Sequence, residues 1–159
     1  MRIGVTGHMN LSPGSVPLVA QAIREHLDGL DADGLVGVSC LARGADSLFA
    51  RAVLEAGGAL EVVLPSRDYR QAKVKPDHAE QFDALLEKAA DVRVMDYDTA
   101  GREAYVAANE AVLGSVDELV AVWDGLPGTG SGGTAEVVEE ARSRGIPVAV
   151  VWPEGSSRQ

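Results

Sequence analysis

Residues 128–136 read GTGSGGTAE. Glycine in an ordered element costs about 0.5–1 kcal/mol relative to alanine, so four glycines within six positions need a reason. Gly128, Gly130 and Gly133 fit G-x-G-x-x-G by letter. However, no acidic residue ending a next strand follows about 20 positions on, as a dinucleotide fingerprint requires. Thr134 stands where a Walker lysine would be. Neither NAD-dependent hydride transfer nor Walker-type ATP hydrolysis is supported. What survives is a Gly-rich loop feeding a helix N-terminus, which bares backbone N–H groups with no side chains in the way. Gly130, Ser131, Gly132, Gly133 and Thr134 are therefore expected to cradle a phosphate, against the alternative of a merely flexible loop. Glu136 has two readings. If Gly133 caps the helix, Glu136 falls at the third helical position, where a carboxylate bonds back to the cap. That role competes directly with a catalytic one for the same carboxylate.

Other residues of chemical interest stand just after apolar runs. Gly7 lets the backbone turn and approach a ligand, and His8 can donate to a phosphate or carbonyl. Arg43 and Gly44 precede a helical pattern, where free N–H groups and a guanidinium favour an anion. Asp46 either binds a ribose hydroxyl or complements the dipole of its own helix. The 66–76 connection carries Arg67, Arg70, Lys73 and Lys75, four of the chain's 14 basic residues. It reads as a lid, with Arg67 and Arg70 on phosphates and Tyr69 on a base, or as a solvated basic loop. Asn109 shares a helix face with Tyr105 and can reach a ligand. His8, His26 and His78 lack metal-ligand spacing, so no metal is expected. Cys40 has no His or Asp partner in sequence to make it a catalytic thiol.

The elements that must position these residues alternate regularly. RIGVT (2–6), LVGVS (35–39), LEVVL (60–64), VRVM (92–95), ELVAVW (118–123) and PVAVVW (147–152) read as strands. Helical periods separate them, the first starting at Ser12-Pro13 and the last ending before Gly145 and Pro147. This alternation predicts an α/β, mainly parallel sheet of about six strands with helices on both faces; we read it as Rossmann-like and doubly wound, with the order 4-3-2-1-5-6. Near-continuous apolar strands agree, because parallel strands are buried on both faces. Ligands bind such sheets at the carboxyl ends of the strands. One domain is expected over 1–152, with 153–159 as a flexible tail.

Composition narrows the partners. A net charge of −10 argues against binding nucleic acid through phosphates. A single cysteine gives no internal disulfide, and a reducing cytoplasmic setting is the default. No apolar stretch approaches the length of a signal or membrane-spanning segment.

Three pieces resemble the SLOG superfamily of Rossmann-like nucleotide-binding proteins, which includes LOG-type phosphoribohydrolases and the DNA-processing protein A family. GVTGH (4–8) resembles the first strand and turn. SCLARGADSLFARAVLEAGGALEVVLP (39–65) resembles the S-G-L-A-x-G-x-D helix of the DNA-processing branch. DELVAVWDGLPGTGSGGTAEVVEEA (117–141) resembles the P-G-G-x-G-T-x-x-E region of LOG-type enzymes and the D-G…G-T-A…E region of nucleoside deoxyribosyltransferases, adding Asp124 to the binding set. The resemblance implies a nucleotide, or a nucleotide-derived small molecule, as ligand or substrate, with no further cofactor and with homodimers in the family. The enzymatic alternative it implies is a nucleoside 5′-monophosphate N-glycosidase releasing free base and ribose 5-phosphate, with the acid at Glu136. The chain departs from that pattern: Val137 stands where the family's Glu would be, and Glu136 is one place early. A third reading is a scaffold with a vestigial pocket.

Overall fold

The six apolar runs become six parallel strands. The computed structural model describes residues 1–31, 33–128 and 133–159. Its elements are β1 (Arg2–Gly7), α1 (Ser15–Asp28), β2 (Val36–Ser39), α2 (Ala45–Glu55), β3 (Ala59–Leu64), α3 (Tyr69–Lys73), α4 (Pro76–Glu87), β4 (Asp91–Val94), α5 (Arg102–Leu113), β5 (Glu118–Val122), α6 (Thr134–Ser143) and β6 (Val148–Val151). The sheet order is β4-β3-β2-β1-β5-β6 and every pairing is parallel. The expected class and order both hold.

Alternation along each strand sends side chains to two cores. Ile3 and Val5 of β1 and Val120 and Val122 of β5 join Val19, Ile23 and Leu27 of α1 and Phe49 and Val53 of α2. Leu60 and Val62 of β3 pack with Phe82 and Leu85 of α4. On the opposite face Val63 packs with Ala108 and Val112 of α5, and Leu119 with Val137 and Ala141 of α6. Phe49 and Phe82 are fully buried, and truncating either to alanine is expected to cost about 3–5 kcal/mol. Strand β4 is exposed along its whole length, as an edge strand with charges at alternate positions can be.

Two local expectations change. Helix α1 begins at Ser15, with Gly14 at the cap position, rather than at Ser12-Pro13. The Ser12 carbonyl instead accepts the Ser15 N–H at 2.9 Å, closing a turn. The 153–159 segment, expected to be free, is tied down. Ser12 and Ser157 join through N–H to O at 3.0 Å, Gln159 N–H reaches the Asn10 carbonyl at 2.7 Å, and Leu11 bridges to Arg158 antiparallel. The buried Ser15 hydroxyl accepts the Ser157 N–H at 2.7 Å. Polar backbone otherwise left open at the β1–α1 turn is thereby paired.

The chain steps outward from β1 to β4, then returns through α5 to place β5 on the other side of β1. The switch in strand order therefore lies between β1 and β5, where Gly7 and Val122 stand in register. A crevice is required there, because the connections leave these two strand ends in opposite directions.

Candidate functional site

A cleft of about 630 Å³ opens at this switch point. The turn after β1 (Gly7–Asn10), the turn after β2 (Cys40, Ala42, Asp46), Tyr69, Tyr105 and Asn109 line it. The strand end after β5 (Trp123, Leu126–Gly128), the start of α6 (Gly133–Ala135) and Arg158 complete it.

Gly7 is where α2 meets the sheet. A Cβ there would stand 2.4 Å from the Ala45 Cβ and 2.8 Å from the Val122 Cβ, so no larger residue fits. The next residue, His8, is buried, and its backbone N–H donates to the Val122 carbonyl at 3.1 Å. Its ring meets Trp152 edge-on, with centroids 5.6 Å apart. Nε2 accepts the Asp124 backbone N–H at 3.1 Å and lies 3.3 Å from Asp124 Oδ1. An accepting Nε2 puts the ring proton on Nδ1 in the neutral form. Burial, and then repulsion from Arg158, push the His8 pKa down, while Asp124 pulls against them. The neutral ring is the form that fits. Burial would raise Asp124, but the Leu126 N–H, His8 and Arg158 outweigh it and hold its carboxyl low.

At the start of helix α2 one backbone donor is already used. The Ala45 N–H is taken by the His8 carbonyl at 3.2 Å. Gly44, at φ 79°, lies so close to the β1 turn that a Cβ would meet the His8 carbonyl oxygen at 2.6 Å. Asp46 occupies the first turn instead, with Oδ2 accepting a long 3.4 Å bond from the Ala42 N–H. Its carboxyl is nine-tenths buried yet lines the cleft. Burial pushes it up to about 7, with the Ala42 N–H pulling the other way. Around it, burial also raises the Cys40 thiol, with Asp46 adding to the effect, and raises the phenols of Tyr69 and Tyr105. The loop beneath is tied by hydrogen bonds. Ser39 Oγ accepts the Leu41 N–H and donates to the Asp46 carbonyl, and His78 Nε2 lies 3.1 Å from the Leu41 carbonyl oxygen.

Helix α6 is different. Gly133 is its cap residue and supplies no side-chain hydrogen bond. Among the described residues nothing accepts the N–H groups of Thr134 and Ala135, both of which line the cleft. Gly130, Ser131 and Gly132, the middle of the expected phosphate cradle, lie outside the described residues.

The remaining candidates sit elsewhere. Arg43 pairs with Asp77 and is not among the cleft-lining residues. Arg67 pairs with Asp96 and Asp98, and Arg70 grips Asp83 through two bonds of 2.8 Å. The basic members of the expected lid thus already hold carboxylates of this chain. Tyr69 does face the cleft, but it is packed between Phe82 and Tyr105. Glu136 lines a separate groove between α5 and α6 with Glu110, Glu139 and Glu140. Sequence reasoning missed Arg158, the one lysine or arginine among the described residues lining the cleft. Its only signal was position: a basic residue following the last strand.

Among the described residues no group of three His, Cys, Asp or Glu side chains could hold a metal, and no helix is long and apolar enough to cross a membrane. An all-parallel sheet of this order, flanked by helices on both faces and with a cleft at its switch point, is a Rossmann-like fold. Solved structures share it. DNA processing protein A from Helicobacter pylori superposes with a TM-score of 0.69 at 17% identity, covering 99% of this chain and 68% of that one. The Streptococcus pneumoniae protein gives 0.66 at 19%, covering 94% of this chain, which spans 49% of that chain's length. The molybdenum cofactor carrier protein of Chlamydomonas reinhardtii gives 0.57 at 20%, covering 94% and 74%. No protein-family model and no curated protein matches the sequence.

Proposed function

We propose that this domain binds a nucleotide or nucleotide-derived small molecule in the switch-point cleft, as a sensing or carrying domain. The observation that carries the reading is the start of α6: the cap residue Gly133 supplies no side-chain bond, the first residues Thr134 and Ala135 line the cleft, and among the described residues no backbone acceptor takes their N–H groups. Such a terminus attracts anions through its free donors and its dipole. The volume, about 630 Å³, is within the range of small-molecule sites. The solved neighbours support a binding role in a general way: one is described as a molybdenum cofactor carrier, another by its binding of single-stranded DNA. The glycosidase alternative has less support, because Glu136 lines the groove between α5 and α6, whereas Asp46 is the carboxyl that lines the cleft.

The test is a thermal-shift panel of AMP, ADP, ADP-ribose and adenosine. A phosphate-bearing member at about 100 times its dissociation constant should add about 2.7 kcal/mol to stability. A panel with no shift at any concentration would leave the scaffold reading in its place.

A further inference from the structure

We infer that Arg158 is the cation that recognises the phosphate of the ligand, delivered to the cleft by the strap of residues that follows β6. The inference rests on the nucleotide-site reading above and adds the residue that separates phosphorylated from unphosphorylated ligands.

Three observations carry it. First, Arg158 lines the cleft, while Arg43, Arg67 and Arg70 are engaged elsewhere with Asp77, Asp96, Asp98 and Asp83. Second, its guanidinium is held in place without being used up. Nε donates to Asn10 Oδ1 at 3.0 Å, and Asn10 Nδ2 in turn donates to the Gln159 carbonyl at 3.0 Å. Nη1 stands 3.6 Å from Asp124 Oδ2, an ion pair too long for a good hydrogen bond. Among the described residues Nη2 has no partner. An arginine fixed at Nε, with Nη1 only loosely paired and Nη2 without a partner among the described residues, is preorganised for two parallel bonds to a phosphate. Third, the strap has little other reason to carry a charge here. It is anchored to residues 10–15 by serine hydroxyls and backbone bonds, to which the guanidinium adds only the Nε bond to Asn10. A phosphate in the cleft would draw Nη1 from Asp124 and take bonds from the α6 N-terminus on its other side.

The experiment is calorimetric titration of AMP and of adenosine into the wild type, R158A and R158K, with thermal melts of each. The expected result is a loss of AMP affinity of tenfold or more in R158A, with adenosine affinity unchanged and R158K in between. Weakening of the AMP interaction should also flatten its dependence on salt. Equal AMP affinity in wild type and R158A would overturn the assignment alone, leaving the cleft reading intact. Equal losses for AMP and adenosine would also overturn it, because they mark a strap that shapes the cleft without touching the phosphate. Failure of the wild type to bind either ligand would overturn this inference and the nucleotide reading together.

Discussion

The side chain with the most unusual environment is Asp46. A buried carboxylate is costly unless hydrogen bonds offset its lost hydration, and this one accepts a single long bond from Ala42. Its pKa, about 7 in the folded protein, stands above the ordinary value of 3.8. The sign of the linkage follows. Between the two values the folded state keeps a proton that the unfolded state has lost, so stability falls as pH rises through that window. Above about pH 7 both states are ionised and the penalty is constant. Each unit corresponds to about 1.4 kcal/mol, so the burden at neutral pH is several kcal/mol at the upper limit. D46N keeps an acceptor for Ala42 and removes the charge. Urea unfolding of D46N against wild type should show the variant gaining relative stability from pH 4 to pH 7, with a flat difference above. A difference that does not change with pH would mean the carboxyl ionises normally. The spacing of the sequence left Asp46 open between ligand and helix dipole, and its burial beside the cleft is not visible in that spacing.

At the scale of elements, legibility tracked the range of the forces involved. Strands such as LEVVL and ELVAV could be identified because a parallel strand buried on both faces must be apolar throughout. Gly7 and His8 could be placed at the site because a strand end at the switch point is a local consequence of topology. The partners of the basic residues could not be seen. Arg43 and Asp77 are 34 positions apart and Arg67 and Asp98 are 31 apart, and no periodicity links them. The strap was equally hidden, since it is held by small polar groups rather than by an apolar pattern. Ser15 is fully buried and bonds both the N–H and the carbonyl of Ser157. S15A would leave a buried donor and acceptor short of partners, a penalty of about 1–3 kcal/mol. The expected outcome is a lowered denaturation midpoint together with faster hydrogen exchange at the Ser157 and Gln159 amides. Unchanged exchange at those amides would show that the strap docks without the serine.

Taken whole, the molecule sets a small polar cleft in an acidic body. Its net charge is −10. Of its cations, Arg2, Arg43, Arg51, Arg67, Arg70 and Arg144 each lie against a carboxylate of the same chain. A relative of the same fold binds single-stranded DNA, so the fold alone does not decide the partner. Charge does. A strand of DNA is held first by neutralising several phosphates at once, with release of their counterions. One loosely paired arginine in a cleft can serve a single phosphate but not a backbone. Fluorescence anisotropy with a labelled single-stranded oligonucleotide at about 0.15 M salt, where the Debye length is about 8 Å, is therefore expected to show no binding at micromolar protein. Lowering the salt should not restore it, because long-range repulsion grows as screening weakens. Binding that strengthens steeply at low salt would reveal a basic surface that the ion pairs conceal, and would move the functional assignment from a small ligand to nucleic acid.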